Sequence, residues 1–156
     1  MAAVMALAGC GSSNKTAAPP TTTSTTMDMN HKVPPATGDN ACPVEGCVVK
    51  ITNVVRDGKE LKVTWHANYT PHVSRNHIHI YWNTWTADQV SNDAASRGVK
   101  QGEWVPTDAY PTFVTEGAVS VTKRGKSTTL CVTAGDGNHD VIDSSIVNCR
   151  KVANLL

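Results

Sequence analysis

From Val48 onward, short runs of β-branched and aromatic residues alternate with polar ones and are cut at intervals by glycine, proline and aspartate. Leu61, Val63, Trp65 and Ala67 alternate with Lys62, Thr64, His66 and Asn68. A period of two gives a strand one apolar and one polar face. The pattern predicts a strand over Leu61 to Tyr69, joined through the hairpin signal Asp57-Gly58 to a strand over Val48 to Val55. A third strand, Asn76 to Trp82, sets Ile78, Ile80 and Trp82 on its core face and His77, His79 and Tyr81 on its wet face. Further strands are predicted over Thr112 to Thr115, Ala118 to Lys123, Thr128 to Ala134 and Ser145 to Val152. Short strands in such a series predict an all-β fold, an immunoglobulin-like two-sheet sandwich. One short helical insertion interrupts it. Thr86 and Gln89 have capping-box spacing, and Ala87 to Arg97 contains no proline and ends at Gly98. Trp82, Trp85 and Trp104 surround this insertion and read as core and seam packing.

Ahead of the sandwich the pattern disappears. Residues 11–40 are dominated by Thr, Ser, Pro, Ala and Asn, which bury too little to offset the entropy of ordering, so they read as a disordered stalk. Before them, Leu7-Ala8-Gly9-Cys10 resembles the bacterial lipobox. The resemblance implies cleavage before Cys10, a lipid on its sulfur, and an extracytoplasmic protein whose partner is the membrane. No Lys or Arg precedes Cys10 and the apolar stretch is short for an export signal, so an upstream translational start is expected. The domain plan is therefore a signal-peptide remnant at 1–9, a lipidated cysteine and stalk at 10–40, and a β domain at 41–156. Within the stalk, Met27, Met29 and His31 place two thioethers and an imidazole close together, a secondary set of ligands for a soft cation such as Cu(I).

The formal net charge is +1, which argues against nucleic acid as a partner. Lys123, Arg124 and Lys126 form the one basic cluster and read as a hairpin turn at Gly125. Besides Cys10 the chain has Cys42, Cys47, Cys131 and Cys149, an even set that export would turn into disulfides. Three pairings satisfy the count. The preferred one joins Cys42 to Cys47 across the Pro43 to Gly46 turn and Cys131 to Cys149 across the last two strands. Paired Cys-x-x-Cys knuckles, a Gly-x-Ser-x-Gly elbow and a glycine-rich phosphate loop are all missing from the sequence, so the chain reads as a non-enzyme.

In an immunoglobulin-like order the third and sixth strands are antiparallel neighbours, which sets the loop Gly135 to Asp140 beside His77. The second strand ends on the same edge and brings His66 and His72 towards it. His77, His79, His139, His66, His72 and Asp136 are thus the candidate ligands for copper or zinc. A structural reading competes, in which the imidazoles hydrogen-bond to neighbours and Asp136 caps its own turn. His77-Ile78-His79-Ile80 followed by Leu130 to His139 resembles an uncharacterised family of bacterial secreted domains that carries a histidine-rich strand and a later Gly-Asp-x-x-His turn. The resemblance covers the second half of the chain and departs from it at the cysteines and the helical insertion. It implies the fold and export and carries no activity. The resulting expectation is a cell-envelope lipoprotein whose β domain binds a ligand, copper or zinc, through its histidine-rich end. The alternative is a structural or protein-binding surface module with a partner in the envelope.

Overall fold

The fold is taken from a computed structural model that describes residues 35–156; Cys10, Met27, Met29 and His31 lie outside the described residues. The chain forms β1 (Val49–Asp57), β2 (Glu60–Ala67), β3 (His77–Trp82), β4 (Val105–Thr107), β5 (Thr112–Val114), β6 (Thr129–Gly135) and β7 (Asn148–Lys151). The hairpin signal at Asp57-Gly58 acts as expected, with Gly58 at a φ of +59° that a side chain would resist. Along β2, Leu61, Val63, Trp65 and Ala67 are buried while Lys62 and His66 are exposed, as the alternation requires.

Two antiparallel sheets result, one ordered β1-β2-β5 and the other β4-β3-β6-β7. Strands one, two and five face strands four, three, six and seven, which is the immunoglobulin-like arrangement. Between the sheets lie Val49, Val54, Leu61, Val63, Trp65, Ile78, Ile80, Trp82, Leu130 and Val132. The two core indoles keep their polar atoms satisfied: Trp65 Nε1 donates to the Ala109 carbonyl at 3.0 Å and Trp82 Nε1 to that of Val119 at 3.1 Å. Both preferred disulfides are present, Cys42–Cys47 and Cys131–Cys149. The second joins residues directly opposite each other on β6 and β7. Two disulfides fit an oxidising, extracytoplasmic environment. No helix among the described residues is long and apolar enough to cross a membrane.

Three expectations are corrected. The helix over Ala87 to Arg97 contracts to a 3-10 turn, Ala87–Gln89, followed by non-helical turns. Gln89 Oε1 does accept the Thr86 N–H at 3.0 Å. Beyond it, however, the N–H groups of Asn92 and Asp93 donate to the loop after β6, and Ser91 Oγ accepts the Val141 N–H from it, which diverts the backbone from a helix. The strand over Ala118 to Lys123 is replaced by two 3-10 turns, Gly117–Val119 and Val121–Lys123. There the Glu60 carboxylate accepts from Ser120 Oγ at 2.6 Å and the Val121 N–H at 2.9 Å, capturing groups that a strand would pair. Gly125, at φ +58°, consequently turns the chain into β6 without forming a hairpin. The strand that completes the second sheet is instead β4, which carries Pro106 at its centre. Proline lacks a ladder donor and is confined to edges, and β4 is an edge.

The third correction bears on function. The supposedly wet face of β3 is covered: all six residues of the strand are buried, and His77 and His79 are 0% exposed. Val90, Trp85, Trp104 and Val141, from the long β3–β4 connection and the loop after β6, pack over Tyr81 and Cys131 and form a second apolar layer outside the sheet.

Candidate metal centre

β3 aims His77 and His79 to one side because they are two residues apart on a strand. Pairing with β6 sets His77 opposite Gly135 and His79 opposite Thr133. The chain leaving β6 at Gly135 then turns back at once. Asp136 Oδ1 accepts the N–H groups of Asn138 at 2.8 Å and Asp140 at 3.0 Å, and the His139 N–H donates to the Asp136 carbonyl at 3.0 Å. This tight turn puts His139 at φ +63°, a left-handed conformation costing about 1–3 kcal/mol in a non-glycine residue. The Asn92 N–H donates to the His139 carbonyl at 2.9 Å, clamping the turn to the segment that covers the sheet.

The result is a cluster of three imidazoles whose candidate ligand atoms lie within 4.8 Å of one another. His77 is central. Its Nε2 stands 3.0 Å from His79 Nε2 and 3.0 Å from His139 Nδ1. Its ring centroid is 4.9 Å from that of His79 and 4.7 Å from that of His139, whereas the outer two are 6.3 Å apart.

The remaining contacts decide the tautomers. His77 Nδ1 faces the Arg75 carbonyl at 3.0 Å, and His79 Nδ1 faces the Val90 carbonyl at 2.7 Å. A carbonyl oxygen can only accept, so each Nδ1 carries the proton and each Nε2 of a neutral ring presents a lone pair. Two lone pairs then meet at 3.0 Å in the protein interior, an arrangement that an intervening cation would relieve. Protonation is a poor remedy. Burial pushes the His77 imidazole down to about 4 and His79 to about 3, and neighbouring imidazoles push both further in that direction.

One contributor was not singled out from the sequence. A β-carbon at Gly135 would overlap the His79 ring, so glycine here lets the imidazole lie against the β6 backbone. An isolated glycine at a strand end is the usual sign of such an approach. The start of β3 is also pinned: Asn40 Oδ1 accepts the Asn76 N–H at 2.9 Å, and Tyr69 Oη donates to the His77 carbonyl at 2.8 Å.

The other candidate ligands do not join the cluster. His66 is exposed on β2, in the opposite sheet, paired with Lys50. The sandwich separates it from the covered face of β3. His72 is exposed in the β2–β3 loop, where its Nδ1 accepts the Ser74 N–H at 3.2 Å. Asp136 spends one carboxylate oxygen on its own turn, as the structural alternative anticipated, and positions His139 rather than joining it. Trp82 lies in the core, while Trp85 and Trp104 pack in the seam of the outer layer. No protein-family model, curated protein or solved structure matches the chain.

Proposed function

We propose that this chain is a cell-envelope lipoprotein, anchored through Cys10, whose β domain binds one copper or zinc ion through His77, His79 and His139. One observation carries the metal reading: two buried Nε2 lone pairs and a third imidazole nitrogen converge, with both Nδ1 protons committed to backbone carbonyls. Backbone acceptors behind ligating imidazoles fix the tautomer and ring orientation that a metal requires.

Three imidazole nitrogens suit copper or zinc. Nitrogens about 2.05 Å from a shared ion stand about 2.9 Å apart at a right angle and about 3.3 Å apart in a tetrahedron. The two 3.0 Å separations about His77 fall between these values, so the triad accommodates either ion, and copper is the tighter binder of the two at a nitrogen site. The lipobox and the two disulfides support an envelope location. Mass spectrometry of the protein recovered from the envelope should find a diacylglyceryl group on Cys10, and an unmodified thiol there would remove the anchor.

The metal reading is tested by titrating the full-length chain with Cu(II) and with Zn(II) and following thermal unfolding and stoichiometry. Copper should bind one per chain and raise Tm more than zinc does. His77→Gln, which removes the central ligand, should abolish the shift, whereas His66→Gln and His72→Gln should leave it unchanged. No Tm shift in the wild type, or an equal shift in His77→Gln, would leave the cluster a structural hydrogen-bonding group.

A further inference from the structure

We infer that the ion held by the triad keeps an open coordination position on the side of His139, and that this position takes a compact anion with a nitrogen or oxygen donor atom. The inference rests on the metal reading above and deepens it. Only three donors converge: among the described residues, no fourth His, Cys, Asp or Glu completes the group. Sites that hold an ion through three protein ligands ordinarily leave a position to solvent or an exogenous ligand.

The direction of approach follows from burial. His77 and His79 are wholly enclosed, while His139 is half-buried. A cleft of about 300 Å³ runs beside it, with His139, Trp104, Pro106, Ala118 and Asn92 in its walls. Trp104 also lies against His79, with ring centroids 5.5 Å apart. The cleft therefore meets the triad through a ligand on one side and through the residue packed on a second ligand on the other. Glu103 borders the cleft but stands outside the ligand cluster.

The class of ligand follows from charge and hydrogen bonding. Three neutral imidazoles bring no negative charge to a divalent ion, and Asp136 and Asp108, although near enough to act on His77, supply no ligand atom, which favours an anion in the open position. Trp104 Nε1 is buried and has no hydrogen-bond partner among the described residues. Buried donors are nearly always satisfied, and an anion seated in this cleft would supply the acceptor.

The experiment loads the full-length chain with one equivalent of Cu(II), confirms that loading depends on His77, and titrates azide while recording near-ultraviolet absorption and the copper EPR spectrum. A saturable one-to-one azide adduct is expected, with a new charge-transfer band. Ala118→Trp, which fills the cleft while keeping all three triad ligands, should weaken azide binding by at least about tenfold and leave copper affinity within about twofold. Trp104→Phe keeps a ring against His79 but removes the N–H, and should weaken azide by about fivefold at unchanged copper affinity. If Ala118→Trp fails to fold, the Trp104→Phe comparison decides alone. His77-dependent copper without an azide response, or azide affinity unaltered by the cleft variants, would overturn the open position and leave the metal site standing. Failure of the wild type to bind copper through His77 would remove both.

Discussion

Lowering the pH of the metal-free protein is the perturbation whose size follows most directly from the site. His77 and His79 are enclosed as neutral imidazoles, with values near 4 and 3 against an ordinary 6.5. Burial is the first cause in each case. Between pH 6.5 and pH 4 the unfolded chain therefore binds two protons that the folded chain does not, so stability is full above pH 6.5 and is lost as pH falls. Each pH unit corresponds to 1.36 kcal/mol per proton. Taking the titration curve of an unfolded histidine from pH 7 to pH 5, each residue withdraws about 2 kcal/mol and the pair about 4 kcal/mol. That is a large share of the roughly 5–15 kcal/mol that holds a domain together. Urea unfolding at half-unit steps from pH 7 to pH 5 measures the loss, and with a slope near 2 kcal/mol/M the midpoint should fall by about 2 M. His77→Gln should show about half the pH dependence. A midpoint flat to within about 0.5 M over this range, or an undiminished dependence in the variant, would refute the claim that these rings are held neutral in the fold.

Gly135→Ala places a methyl group into the His79 ring. It should cost about 1–3 kcal/mol of stability in urea unfolding and lower copper affinity by at least about tenfold, because the ring must leave its position between Val90 and His77. Replacing Cys131 and Cys149 together by serine opens a loop closed over a sequence separation of 18. The loss should be about 3 kcal/mol, read by thermal unfolding with and without reductant, with copper stoichiometry unchanged because neither sulfur belongs to the cluster.

Much of the sandwich was legible in the chain. A period of two is a local property, so the strict alternation of Leu61 to Ala67 revealed its own buried and exposed faces without knowledge of a partner. The glycine at Gly58 announced its turn by the same kind of local steric rule. The Cys42–Cys47 pair was suggested by the turn between them, and the Cys131–Cys149 pair followed once strand order was assumed, since those residues fall opposite each other only if β6 and β7 are neighbours. His77, His79 and His139 converged for a similar reason: antiparallel pairing of β3 with β6 must bring the end of one to the beginning of the other.

Elements whose conformation depends on distant groups were hidden. Ala118 to Lys123 has strand-like composition, yet a carboxylate at Glu60 takes its hydrogen bonds. Ser91 to Asp93 has room for a helix, yet its polar groups are engaged by Val141, Asp140 and His139. The sequence by itself determined which side of β3 carries imidazoles and that His139 would lie close by. Only the tertiary structure decided that this side is dry, because burial is set by a segment arriving from elsewhere in the chain. It is that cover, with the Val90 carbonyl behind His79, that turns exposed polar histidines into neutral rings with their lone pairs facing each other. His66 illustrates the converse: its alternation is as clear as that of His77, but among the described residues none covers it, and its side chain is exposed on β2.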